Sequence, residues 1–118
     1  MTFQLVVPAA TPSLNKYAYS HWRVRQRDKA SWELWLMAAA HEAGATKATG
    51  KRRLMIERHG RRALDPDNMI GGAKGAIDVL RKLGLLMDDH DGAIELAARN
   101  VKLNKGEQPH TVFVLEDM

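Results

Sequence analysis
The feature that most narrows what this chain can become is a missing one: none of its 118 residues is cysteine. Without thiols there are no disulfides to staple a loop-rich fold, no cysteine zinc sites and no thiolate catalysis. A chain of this length must then hold itself together with one apolar core, which means one domain, spanning residues 1–118. Its hydrophobic share of 45% and charged share of 27% suit an ordinary soluble globular protein. No apolar run approaches the roughly 18 residues that a membrane span needs, so no membrane residence is expected. Residues 1–5 lack the basic start and apolar stretch of a secretory signal, and an intracellular, cytoplasmic home is the simplest expectation.

Periodicity sets out the elements. Residues 3–7 read as a strand stopped by Pro8, and residues 8–27 as a long loop with Pro12, Ser13 and Asn15 as turn formers. Loops of that length in a small domain are usually functional or mobile. Asp28 can cap a helix that runs to about Ala43, with Gly44 as its stop. Trp32, Trp35, Leu36, Ala39 and Ala43 recur on it at helical spacing, while Leu34 and Met37 add a second apolar strip. A helix so apolar around its girth wants burial on more than one side. It is either a central core helix or one that lines a subunit interface.

Residues 51–59 alternate as a strand, with Leu54 and Ile56 on one face. A second helix is expected to open near Asp67 and end at Gly84, along the stripe Met69, Ala73, Ala76, Ile77, Leu80 and Leu83. Strands follow around residues 93–103 and 110–115, and no internal repeat or low-complexity linker interrupts the chain. The order strand, helix, strand, helix, strand, strand predicts an α+β domain, a small mixed sheet with two main helices.

The charge is uneven along the chain. Eighteen Lys and Arg against fourteen Asp and Glu give a net +4, by itself a weak sign of a polyanionic partner. Three basic runs come first: Arg23, Arg25, Arg27 and Lys29; then Lys51-Arg52-Arg53; then Arg58, Arg61 and Arg62. The acids Asp65, Asp67, Asp78, Asp88, Asp89 and Asp91 come later. Each run can be a solvated face; all three preceding the acidic cluster favours a shared role.

Asp65-Pro66-Asp67-Asn68 places two carboxylates two residues apart at a helix start. In extended backbone, positions i and i+2 face the same side, so both can point at one ion, and Pro66 limits the entropy lost in fixing them. Asp88-Asp89-His90-Asp91 offers more carboxylates beyond the helix. Such hard oxygen donors suit magnesium or manganese rather than zinc. A phosphodiester nuclease needs this set, because the metal activates water and screens charge building on the phosphate. The competing reading is structural: Asp65 or Asp67 caps the helix, and 88–92 is a turn. Lys74 shares a helical face with Asp67, Gly71 and Asp78; it can hold a phosphate or form an i,i+4 surface pair with Asp78. Gly71, Gly72 and Gly75 each cost on the order of 1 kcal/mol relative to Ala in a helix, so they point to a close approach of backbone to DNA or to a neighbouring helix. The five histidines show no helix-spaced metal pair, His90 being the one worth testing as a ligand. Trp22 can stack on an exposed base or simply pack.

Asp65-Pro66-Asp67-Asn68, then Lys74-Gly75-Ala76-Ile77-Asp78-Val79-Leu80, then Gly84-Leu85-Leu86-Met87-Asp88-Asp89 resembles the signature of the RusA-type Holliday-junction resolvases. The early Pro12-Ser13-Leu14-Asn15-Lys16-Tyr17 is similar to that family's segment after the first strand. The resemblance spans most of the chain and is densest from Arg61 to Asp91. It implies a mixed α/β homodimer that nicks opposed strands of a four-way DNA junction with Mg2+, Mn2+ substituting. Carried over by position, it implies Asp65, Asp67 and Asp89 as the essential carboxylates, Asp88 as a further metal ligand, and Lys74 as the catalytic lysine. Asn15, Lys16, Arg23, Arg25, Arg27, Arg61 and Arg62 are the residues expected to hold the branched DNA. The family prototype has three fewer residues between the Asp-Asn pair and the lysine, so Lys74 keeps its face but shifts roughly 4.5 Å along the axis. The longer link resembles phage-associated relatives, which implies a bacterial, prophage or phage-encoded protein.

Geometry adds one expectation. An unbroken helix from residue 68 to 83 runs roughly 24 Å, whereas the steps from Gly84 to Asp89 reach back at most about 18 Å. Asp67 and Asp89 meet within one subunit only if the helix starts late, breaks at Gly71-Gly72, or the link is taut; otherwise each site is completed across the dimer. A broken or late helix is the favoured solution. Two rival functions stand beside the nuclease. A non-catalytic branched-DNA-binding module would use the arginines on phosphates and the aspartates as caps. A calcium-binding domain built on 88–92 lacks the alternating ligands and terminal Glu of an EF-hand.

Overall fold
Alternation along three strands builds one buried face. The computed structural model describes residues 1–13, 22–87 and 94–118, without the side chains of residues 22, 25 and 94. Strand β1 (Thr2–Val7) buries Phe3, Leu5 and Val7; β2 (Arg52–Gly60) buries Arg52, Leu54 and Ile56; β4 (His110–Asp117) buries Thr111, Phe113 and Leu115. With β3 (Ile94–Lys102) they form a mixed sheet in the order β1-β4-β2-β3. Leu5 pairs with Phe113 and Phe113 with Ile56, so an apolar row crosses three strands; Phe3, Leu115 and Leu54 form the next. The opposite face carries the charged partners of this alternation, including Arg53 with Glu95 at 3.3 Å and with Glu116 at 3.6 Å, and Arg99 with Glu57. That one-sided pattern is what a sheet covered on a single face requires.

The sheet is α+β as expected, but it is covered by three helices rather than two. Helix α1 (Trp22–Ala43) begins six residues before the expected start. Asp28 therefore lies inside it, exposed, and does not cap it. The segment 22–27 contains neither Gly nor Pro, and its arginines and glutamine are good helix formers, so nothing stops the helix from extending back. Its end matches the sequence: Gly44 adopts φ 67, Gly44 N–H donates to His41 O at 3.2 Å and Ala45 N–H to Ala40 O at 2.9 Å, the paired bonds of a Schellman stop. Trp32, Leu36 and Ala39 face the core, where Trp32 meets Phe113 edge-on at 6.0 Å. The second strip faces outward, with Leu34 69% and Met37 50% exposed.

The stretch expected as one helix from Asp67 to Gly84 is α2 (Pro66–Gly72) and α3 (Lys74–Lys82), separated at Ala73 with φ −85 and ψ −1. The Ala73 N–H is shared between Met69 O at 3.1 Å and Ile70 O at 3.2 Å. This break is the favoured expectation, displaced by one residue. Gly72 shows why it sits there: a Cβ at that position would lie 1.8 Å from the Pro12 carbonyl oxygen. The close neighbour of Gly72 is thus the loop after β1, rather than the DNA or neighbouring helix that the glycines were expected to meet. Helix α3 ends in a second Schellman stop at Gly84, φ 78, with Leu85 N–H on Leu80 O at 2.9 Å. Together α2 and α3 form the crossover that lets β2 and β3 pair in parallel. No helix among the described residues is long and apolar enough to cross a membrane.

Candidate metal and nucleic-acid site
Beyond β2 the chain turns through Arg61, Arg62 and Ala63, all exposed, to Leu64. Asn100 of β3 clamps that turn, accepting from Leu64 N–H at 3.1 Å and donating from Nδ2 to Leu64 O at 2.6 Å. An Asn inside a strand is disfavoured by propensity, and that was the available sign of its role. Asp65 follows with extended backbone, φ −67 and ψ 159, as the N-cap of α2, with Pro66 in the first turn. Its Oδ1 accepts from Asn68 N–H at 2.9 Å and its Oδ2 from Asn68 Nδ2 at 3.1 Å. The expectation of a fully extended Asp-Pro-Asp is corrected here: only Asp65 is extended, and Asp67 already belongs to the first helical turn. Both residues are exposed. Capping and ion binding are compatible, since each carboxylate oxygen has a second lone pair, and the amide ends of the turn favour negative charge.

Lys74 is exposed and opens α3. The break at Ala73 interrupts the continuous face expected to run from Asp67 to Asp78. Asp78 pairs with Arg81 at 3.3 Å, not with Lys74, so the i,i+4 surface pair that was the alternative role for Lys74 is not formed. Asp88 and Asp89 lie outside the described residues, as do Asn15, Lys16, His90 and Asp91, and the side chains of Trp22 and Arg25. Among the described residues no group of three or more His, Asp or Glu could hold a metal ion. Compared with known proteins, the chain matches no family model and no curated protein.

The three basic runs separate into different roles. Arg52 is 2% exposed; its Nε donates to Asp117 Oδ1 at 2.8 Å, its Nη1 to Leu85 O at 2.9 Å, and its guanidinium lies 5.3 Å from the Phe3 ring centroid. The Arg52 hydrogen bond, aided by the N-terminal ammonium, holds the Asp117 carboxyl below its ordinary pKa. With Arg53 paired to Glu95 and Glu116, most of the second run is committed to the fold. Arg58 points to the helical side, its Nε donating to Thr11 O and its Nη1 to Arg62 O, both at 2.8 Å. Burial lowers its pKa from the ordinary guanidinium value. Arg61, Arg62, Arg23 and Arg27 are exposed.

A cleft of about 790 Å³ opens between the loop after β1, α1 and the α2–α3 break. Arg58 and Arg62 stand in its lining beside Leu64, the residue preceding Asp65. Sequence reading placed Arg58 in a basic run but did not single out Thr11 or Asn100, which with it shape this end of the molecule.

Proposed function
We propose that the chain is a magnesium-dependent, structure-selective endonuclease of the RusA resolvase type, cutting four-way or related branched DNA as a homodimer. The observation that carries this reading is the short connection from Arg61 to Asp67. Two exposed guanidiniums and two exposed carboxylates share it, and Asn100 holds it in place. Hard oxygen donors in that number fit magnesium or manganese. Asp65 and Asp67 would hold the ion with Asp88 and Asp89; when bound, it supplies an activated water and charge neutralisation. On the chain's own side, Arg61, Arg62, Arg23 and Arg27 engage backbone phosphates, and the exposed Lys74 offers an ammonium to a phosphate oxygen. The exposed Leu34–Met37 strip supports a dimer that covers it. The setting implied is the cytoplasm of a bacterium, with the gene in a phage or prophage.

How the carboxylates meet bears on that dimer. Asn100, which clamps Leu64, is level with Arg58 in the register, six positions along β2 from Arg52. The strand rise makes that about 20 Å. Leu85 is tied to Arg52, and Ile94 pairs with it. From Leu85 to Asp89 four steps reach at most about 14 Å. A site completed within one copy therefore needs a nearly stretched link; the other solution completes each site between two copies. The deciding experiment incubates the protein with a labelled four-way junction and a matched linear duplex, with and without magnesium. Metal-dependent nicks confined to the junction are expected; no cleavage in either arm overturns the reading. Subunits carrying Asp67→Asn and Asp89→Asn, mixed, should regain single-strand nicking if sites form across the dimer.

A second reading, a branched-DNA-binding module without catalysis, is favoured by one observation: both oxygens of Asp65 are engaged by Asn68, Oδ1 in capping and Oδ2 by the side-chain amide. It requires that chelator and Asp67→Asn leave every activity unchanged.

A further inference from the structure
We propose that the cleft beside Asp65 is a pocket for one unpaired nucleotide, its base against Trp35 and its phosphate towards Arg62 and Lys29; the inference rests on the branched-DNA reading for the polymer that presents this nucleotide. The volume, about 790 Å³, falls in the range of pockets that enclose a small organic ligand. It far exceeds what a single inorganic anion needs. The walls have two characters. Trp32 and Trp35 of α1 form one side, fixed edge-to-face with centroids 5.4 Å apart and planes at 86°. Opposite stand Gly72, Gly75 and Ala76 of the α2–α3 break, which put no bulky side chain into the space.

Among the described residues the rim is cationic: Lys29, Arg58 and Arg62 against the acid Asp28. Arg58 is bonded only to the carbonyls of Thr11 and Arg62 in the contacts described above, so no carboxylate cancels its charge there. Thr11 Oγ1, buried in the same lining, has no hydrogen-bond partner, a polar atom left for a ligand to satisfy. An aromatic wall beside uncancelled cations is the combination that holds single-stranded nucleotides, because any base stacks and any phosphate pairs. A purely apolar peptide would leave those charges unused. Leu64 belongs to the lining and Asp65 is the next residue, so a strand with one nucleotide in the cleft passes directly to the carboxylates.

The test uses the full chain in metal-free buffer with EDTA. One four-way junction carries an unpaired 2-aminopurine nucleotide at its crossover; a second has an abasic residue there. Wild type should quench the 2-aminopurine fluorescence and bind the first junction about 10-fold more tightly than the second. Trp35→Leu should abolish both the quench and the difference between the two junctions. Ser31→Phe, which fills the cleft from α1, should do the same and serves if Trp35→Leu does not fold. Equal binding of the two junctions by wild type overturns the proposal, as does a quench that survives both variants. Cleavage with magnesium is scored separately. Cutting without base-dependent binding removes the pocket and keeps the nuclease; base-dependent binding without cutting does the reverse.

Discussion
Arg52 and Arg58 lie on the same strand and the same face of it, six residues apart, yet they occupy opposite electrostatic situations. Arg52 is sealed in the core end of the sheet and neutralised by Asp117. Arg58 is held by two carbonyl oxygens beside an open cleft. A buried charge that meets a carboxylate is spent on the fold; one that meets only backbone dipoles keeps its field for a ligand. The difference divides the molecule into a closed end, where β1, β2 and β4 are tied to the chain terminus, and an open end that presents Arg61, Arg62, Asp65 and Asp67.

The sharpest way to break this division is at the open end. Asp67→Asn removes one exposed carboxylate that makes no packing contact in the core, so it should reduce junction cutting roughly 100-fold or more. Thermal unfolding should be unchanged, and junction binding retained or strengthened by loss of repulsion with phosphate. A variant that cuts normally would reduce the open end to a capped turn.

At the closed end the expected effect moves from activity to stability. Arg52→Leu keeps most of the side-chain volume but strands the Leu85 carbonyl and removes the Asp117 partner. A loss of roughly 2–4 kcal/mol is expected from urea unfolding. Arg58→Leu gives up two hydrogen bonds to carbonyls and should cost less, about 1–2 kcal/mol, while weakening junction binding and flattening its salt dependence. Equal stability losses at the two positions would erase the distinction. Gly72→Ala probes the joint between the ends. Its Cβ would have to displace the Pro12 carbonyl, so a loss of about 1–3 kcal/mol is expected.

Much of this was legible in the chain. The alternation of residues 51–59 put Leu54 and Ile56 on the core face, and Gly44 and Gly84 marked the helix stops that positive φ confirms. The same alternation, followed one step further, places Arg52 and Arg58 in phase with Leu54 and Ile56; grouping them into basic runs hid that signal. The start of α1 was not legible, because Asp28 is a good cap residue wherever it falls and nothing local forbids helix before it. Gly71-Gly72 flagged the break between α2 and α3, but the surface that demands it, Pro12, lies about sixty residues away in sequence. At the candidate site, Asp-Pro-Asp-Asn announced both a cap and a ligand pair, and the structure displays the cap. Asn100 acts on Leu64 across the crossover, a contact no local pattern encodes.

The smallest expected effect comes from the histidines where β2 ends and β4 begins. His59 and His110 are register partners with rings stacked at 4.1 Å and 17°. Burial first, then the field of His110, lowers the His59 pKa below 6.5, against an opposing pull from Glu107. His59 Nε2 is buried without a hydrogen-bond partner, so nothing there rewards a proton. The unfolded chain therefore takes up the proton first as pH falls. The stability that depends on neutral His59 is fully present above about pH 6.5 and declines as the pH drops through the lower folded-state value. Urea midpoints should fall between pH 7.5 and 5.5 in wild type, and fall less in His59→Phe, which keeps an aromatic ring on His110 but cannot titrate. The pair stands at the open end, beside Gly60 and the Arg61–Arg62 turn, so acid should loosen that end before it touches the Arg52–Asp117 bond, whose carboxyl titrates far lower. If acid instead weakens wild type and His59→Phe alike, the pH-sensitive element lies elsewhere, and the open end is as firmly built as the closed one.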